Sequence, residues 1–207
     1  MVNCSPKNEH DMDFKGVIYI ENQDITDEET FEFLPEDLAA FYENVNGIVA
    51  FQGGLQIRGC VQEPAWNSLY EAWKGDYAFY KTYTNMHKDD IPFAQDCMGD
   101  QYFLRDEIVW ILQTETGDVY DLEIDFIDFI EEAIEDPVEF LSLHPLVQYL
   151  NEEGELKPGQ LLSCLPAICE EVAEDVEYIM KPVSVDERLA WLSAYYEKHK
   201  KASPSVN

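Results

Sequence analysis

Asp96 and Asp100 flank a polar break in "IPFAQDCMGDQYFLRDEIVWIL", residues 91–112, with Cys97 between them. Two neighbouring carboxylates can divide the roles of acid and base if apolar surroundings raise the pKa of one and leave the other ionised. Asp89 and Asp90 form a second such pair. The chain carries 43 acidic residues, so chance pairs arise throughout, and most of them are solvated and untuned.

Other chemistry is sparse. The sequence has no Gly-x-Ser-x-Gly elbow and no Ser-x-x-Lys motif. His10, His87, His144 and His199 lie in separate segments without ligand spacing, and Cys164 and Cys169 do not have the spacing of a zinc knuckle. Gly53-Gly54 sits between two short apolar runs and does not open a helix, so it is no dinucleotide fingerprint. These residues point to no catalytic set, no metal and no cofactor. Cys4, Cys60, Cys97, Cys164 and Cys169 are an odd number of cysteines at scattered positions, and "MVNCSPKNEHDMDF" has no apolar run of a signal peptide. They read as reduced thiols of a cytoplasmic protein.

Aromatic residues offer binding rather than catalysis. Trp66, Tyr70, Trp73, Tyr77, Phe79, Tyr80 and Tyr83 crowd into one segment, a density that suits an interface hot spot. Trp66, Tyr70 and Trp73 are spaced by four and three, so a helix would pack all three on a sheet. The stretch from Tyr77 to Tyr83 is less periodic. Tyr77, Tyr80 and Tyr83 are therefore expected on a partly exposed surface, as partner anchors.

The elements that must hold these residues alternate between short strands and amphipathic helices. "VIYI" (17–20) reads as a strand, and "TDEETFEF" (26–33) as a helical turn with Thr26 and Glu29 as capping box. "LPEDLAAFYENVNG" (34–47) reads as a helix, with Pro35 in the first turn and Gly47 at its end. "IVAF" and "LQIR" flank Gln52-Gly53-Gly54 as a hairpin, and "PAWNSLYEAWKG" (64–75) is a short helix. Strands at 91–94, 101–104, 108–113 and 119–123 follow, joined by tight turns, which favours antiparallel pairing over βαβ units. "DFIDFIEEAIED" (125–136) is a helix with Ile127, Ile130 and Ile134 on one face. Helical segments at 138–150, a loop at 151–159, a strand at 176–183 and a closing helix at 184–201, capped by Ser184 and Glu187, complete the chain. The expectation is α+β: a single domain over 1–207, with a mainly antiparallel sheet of about five or six strands and helices packed on it. The core spans about 25–136, with a docked extension over 137–207.

Against 43 acidic residues stand 13 basic ones, a net charge of −30. Such a field repels phosphate backbones and anionic lipid, which argues against nucleic acid or a membrane surface as partner, and it speeds encounter with basic proteins. A halophilic or merely very soluble surface would look the same in composition.

"LPEDLAAFYENVNG", "IPFAQDCMGDQYFL" and "GDVYDLEIDFIDFIE" together resemble three pieces of the SUKH superfamily: its first helix, its central Pro-Phe-Ala…Gly-Asp strand pair, and its next strand with the following helix. "LKPG" and "IMKPVSVDERLAWL" are similar to an extension found in some members. The resemblance implies an antiparallel α+β fold and a binding protein without catalytic residues, and many bacterial members are immunity proteins against polymorphic toxins, often nucleases. It brings no catalytic set with it. The leading expectation is thus a non-enzymatic, cytoplasmic immunity protein that occludes a basic toxin domain. The alternative is a stand-alone regulatory or adaptor module of the glucan-synthesis-regulator type. In either, Asp96 and Asp100 are expected as exposed loop acids at the contact surface, with Tyr77, Tyr80 and Tyr83.

Overall fold

The structure, a computed structural model, describes residues 13–76, 78–152, 154–170 and 177–200. Seven strands form one antiparallel sheet in chain order: β1 (Tyr19–Ile20), β2 (Ile48–Ala50), β3 (Leu55–Ile57), β4 (Ile91–Asp96), β5 (Gln101–Arg105), β6 (Ile108–Gln113) and β7 (Asp118–Asp121). Two more, β8 (Gln160–Leu165) and β9 (Ile179–Ser184), make a separate antiparallel hairpin. The helices are α1 (Glu28–Phe31), α2 (Glu36–Asn44), α3 (Leu69–Trp73), α4 (Phe126–Glu135), α5 (Pro137–Phe140), α6 (His144–Glu152) and α7 (Val185–Lys200). The expected α+β class stands, with an antiparallel sheet one strand larger than expected and a hairpin beside it.

Alternation along the strands gives the sheet two different faces. On the first, Leu55, Ile57, Phe93, Ala94, Tyr102 and Leu104 meet α2 and α4 in the larger apolar core. Phe93 packs edge-on against Phe126 at 5.2 Å and Phe129 at 5.4 Å, the geometry that aromatic quadrupoles favour. Helix α4 starts where the Asp125 carboxylate accepts from the Asp128 N–H at 2.9 Å. Its buried face is Phe126, Phe129, Ile130 and Ala133, whereas Ile127 and Ile134 are only half-buried. The expected isoleucine face is corrected accordingly: the phenylalanines, being larger, take the position over the sheet. For α1 the cap is Asp27, which accepts from the Thr30 N–H at 3.1 Å, and the expected Thr26–Glu29 box does not form.

The second face is covered by residues 64–76 and 78–90 and by α7. Phe103 and Leu112 point into a smaller apolar cluster with Phe79, Tyr83, Met86 and Tyr196. The β8–β9 hairpin and α7 reach the sheet at its β4–β5 end, where the Leu162 N–H donates to the Cys97 carbonyl at 2.7 Å. Ser184 caps α7 by accepting from the Glu187 N–H at 3.2 Å, as its sequence implies.

Candidate functional site

The aromatic segment turns inward. Tyr83 is 1% exposed and stacks on Tyr196 with ring centroids 4.7 Å apart, while Tyr80 is half-buried. The expectation of Tyr83 as an exposed anchor is therefore corrected: Phe103 and Leu112 need an apolar cover, and Phe79, Tyr83 and Met86 supply it. Tyr77 lies outside the described residues. Trp73 is buried, and its indole N–H donates to the Lys88 carbonyl at 3.1 Å. Trp66 is half-buried against Tyr19, but Tyr70 is exposed. The expected packing of all three on the sheet fails at Tyr70, because residues 65–67 form a 3-10 turn and α3 begins only at Leu69. Trp66 and Tyr70 thus do not share one helical phase.

Asp96 and Asp100 are the second correction. They are not exposed loop acids but the scaffold of a buried turn. Asp96 is 7% exposed, and its Oδ1 accepts from the N–H groups of Met98, Gly99 and Asp100 at 2.8, 2.8 and 3.0 Å. Gly99 sits at φ +97, a conformation in which a side chain would be strained. Asp100 is half-buried, and its Oδ1 accepts from the N–H and Oγ1 of Thr114 at 2.8 Å each, tying the turn to the end of β6. Burial, with Asp100 alongside, pushes the Asp96 carboxyl up to about 8, against the opposing pull of its three main-chain donors. Burial also raises Asp100. Both acids spend their best acceptor oxygen on the backbone, which makes them shape-holders rather than general acid and base.

Arg188 of α7 closes this turn from above. It is 1% exposed; its Nε donates to the Met98 carbonyl at 2.9 Å, and its Nη2 lies 3.3 Å from Glu115 Oε1. No motif marks Arg188 as buried: it sits in an apolar stripe with Val185, Leu192 and Tyr196 at a position that reads as solvent-facing. The stripe itself is legible; the arginine within it is not.

A further polar group lies across the middle strands. Gln56, Arg58, Gln95 and Gln101 are all buried on the sheet's second face. Arg58 donates to the Pro92 carbonyl at 2.8 Å, to Gln95 Oε1 at 2.9 Å and to Gln101 Oε1 at 2.6 Å. Gln95 in turn donates to Gln56 Oε1 at 2.9 Å. Burial lowers the Arg58 pKa to about 10, so the guanidinium remains charged at neutral pH, held by amide and carbonyl dipoles and by the Phe79 ring at 5.7 Å. Nothing in the sequence pattern announces this network beyond polar residues at strand positions.

The exposed charge is one-sided. On α4, Asp128, Glu131, Glu132 and Glu135 face solvent, and Asp118 and Asp121 do so on β7, which leads into α4. From residue 106 to residue 156 the chain contains no lysine or arginine. Tyr120, half exposed, lies on β7 at the edge of the sheet. Two acidic grooves are a cleft of about 230 Å³ between the starts of α2 and α4, whose lining includes Glu36, Asp37, Glu107 and Asp125, and one of about 420 Å³ beside the end of α2, whose lining includes Glu21, Asp24 and Glu43. Among the described residues no group of three His, Cys, Asp or Glu side chains is placed to hold a metal ion. Cys60, Cys97, Cys164 and Cys169 carry free thiols. No helix among the described residues is long and apolar enough to cross a membrane.

No family model and no curated protein matches the chain. Among solved structures, Atu4351 from Agrobacterium tumefaciens is similar in fold: the superposition covers 86% of this chain and 85% of that chain, with a TM-score of 0.53 and 16% sequence identity. At that identity the likeness establishes a shared architecture along most of both chains, and the fold alone.

Proposed function

We propose that this chain is a non-enzymatic binding protein of the SUKH type, an immunity protein that acts in the cytoplasm by occluding a basic toxin domain. The observation that carries the reading is the acid-only surface of α4 and β7, on a chain with a net charge of −30. Carboxylates displayed without neighbouring cations repel one another, so a basic partner relieves that repulsion as it docks. A toxin that cleaves nucleic acid needs a basic surface for phosphate, which makes it a match of opposite sign. The carboxylates best placed for chemistry, Asp96 and Asp100, are engaged in holding a turn, which supports binding over turnover. The free thiols of Cys60, Cys97 and Cys164 suit a reducing compartment.

The reading expects a basic toxin domain encoded immediately upstream, and the test pairs the two proteins. Co-expression should restore growth, and the purified proteins should form a 1:1 complex with a Kd on the order of nM, about −12 kcal/mol. Growth arrest despite folded, abundant protein, with no complex by calorimetry at micromolar concentrations, would overturn the reading and leave the regulatory-module alternative in its place.

A further inference from the structure

The β8–β9 hairpin and α7 form a cover over one end of the sheet, and that cover rests on buried charge. At its foot, Asp96, Asp100 and Glu115 supply three carboxylates, and among the described residues Arg188 is the cation that meets them. Asp96 and Asp100 are adjacent: the Asp100 N–H donates to Asp96 Oδ1, and the Asp96 N–H donates to the Asp100 carbonyl, both at 3.0 Å. Arg188 gives its Nε to Met98 and its Nη2 to Glu115, while its buried Nη1 has no partner. The apolar seal is tight. A Cβ at Gly99 would lie 2.8 Å from Leu192 and 3.5 Å from Leu161, so these two leucines press on the turn itself.

We propose that docking of the β8–β9–α7 cover is coupled to a proton held by the Asp96–Asp100 pair, so that the cover loosens as pH rises. The turn is dry only while Leu161, Leu192 and Arg188 sit on it. When the cover lifts, water reaches both carboxyls and each can ionise at its ordinary value. Lifting also removes the Arg188 charge, which on its own would favour the protonated form. Desolvation is the larger influence on both acids, so the docked state holds the proton more tightly.

The direction follows from linkage. A carboxyl whose pKa is raised in the docked state binds more protons there than in the open state. Docking is then strongest below the ordinary carboxylate range, about 4, and weakens as pH rises towards about 8, where Asp96 itself ionises. Other groups surround the pair. Cys97 on the same turn and Tyr102 on β5 are held neutral by burial. Tyr83, from the aromatic cover, is raised by burial as well, and Tyr196 of α7 stacks on it. From the far side, Cys164 on β8 is raised by burial, as is Cys169, whose N–H donates to Glu115 Oε2 at 3.0 Å. The thiols, with Tyr83 and Tyr102, are shifted upward by burial, away from the neutral range, which leaves the carboxyl pair as the titrating element. Opening would uncover the turn at Gly99 and the ring of Tyr83 that Tyr196 now covers.

Hydrogen exchange of the full chain between pH 5.5 and pH 9, corrected for the intrinsic rate at each pH, tests this. Protection of α7 amides should fall by about tenfold per pH unit up to about pH 8, as release of one proton requires, while α4 amides keep theirs. Asp96→Asn should abolish that slope, and Asp100→Asn, which leaves Asp96 buried but removes its charged neighbour, should end the fall at a lower pH. A flat profile for α7 in the wild type, an equal slope in α4, a slope that survives in Asp96→Asn, or an Asp100→Asn profile identical to the wild type would overturn the proposal.

Discussion

The two faces of the sheet are held by different physics. Under α2 and α4 the contact is mainly apolar: Phe93, Tyr102, Phe126 and Phe129 interlock. On the opposite face a buried arginine lies within a glutamine network, and a second arginine closes a turn built from aspartates. The first face is insensitive to the exact residue so long as volume is conserved, because dispersion and desolvation are not directional. The second depends on individual atoms, because each buried polar group that loses its partner has no water to replace it.

Truncation separates them most sharply. Phe129→Ala should cost about 3–5 kcal/mol of global stability, since it leaves a cavity where Phe93, Tyr102 and Phe140 now meet. Denaturant melts should show a lower midpoint with one cooperative transition. Arg188→Ala should cost about 3 kcal/mol, by stranding Glu115 and the Met98 carbonyl in a buried site. Its effect should be local, with exchange rising in α7 and β8–β9 and not in α4. If both variants lose protection uniformly, the two faces are one cooperative unit and the contrast drawn here fails. Gly117→Ala should have a smaller effect, about 1–3 kcal/mol, because φ is +78 and a Cβ would meet the Tyr196 ring directly. Near-ultraviolet circular dichroism, which reads the Tyr83–Tyr196 stack, should change in that variant before the far-ultraviolet signal does. Smallest of all, Asp125→Ala should remove about 1 kcal/mol through loss of the α4 cap.

The same contrast explains what could be read from sequence. Helix α2, helix α4 and the strands β4 to β7 are legible as elements because apolar pattern and boundary residues coincide, as at Pro35, Asp125 and Gly99, although the buried face of α4 is not the expected one. The strand β8 is not, because "QLLSCL" lacks alternation, and Pro158-Gly159 and Pro166 beside it mark only where a segment begins and ends. The candidate site fared worse. Asp96 and Tyr83 look like surface residues, since acids and tyrosines usually are, and their burial depends on α7, whose Arg188 and Tyr196 lie about ninety and more residues further along the chain. Local pattern carries no information about such a partner. The acidic outer face of α4, by contrast, is plain in the spacing of Asp128, Glu132 and Glu135.

That face carries the functional account, and the kinetics of association test it most directly. Association with a basic toxin domain, the partner proposed above, would be followed by stopped flow from low to physiological salt, for the wild type and for Asp128→Asn/Glu132→Gln/Glu135→Gln. These side chains are exposed, so the triple change should leave stability within roughly 0.5 kcal/mol per site. The account predicts that the wild-type association rate falls steeply with salt, and that the variant associates more slowly at low salt with a shallower dependence, while dissociation changes less. Equal rates and equal salt dependence in the two proteins would contradict it.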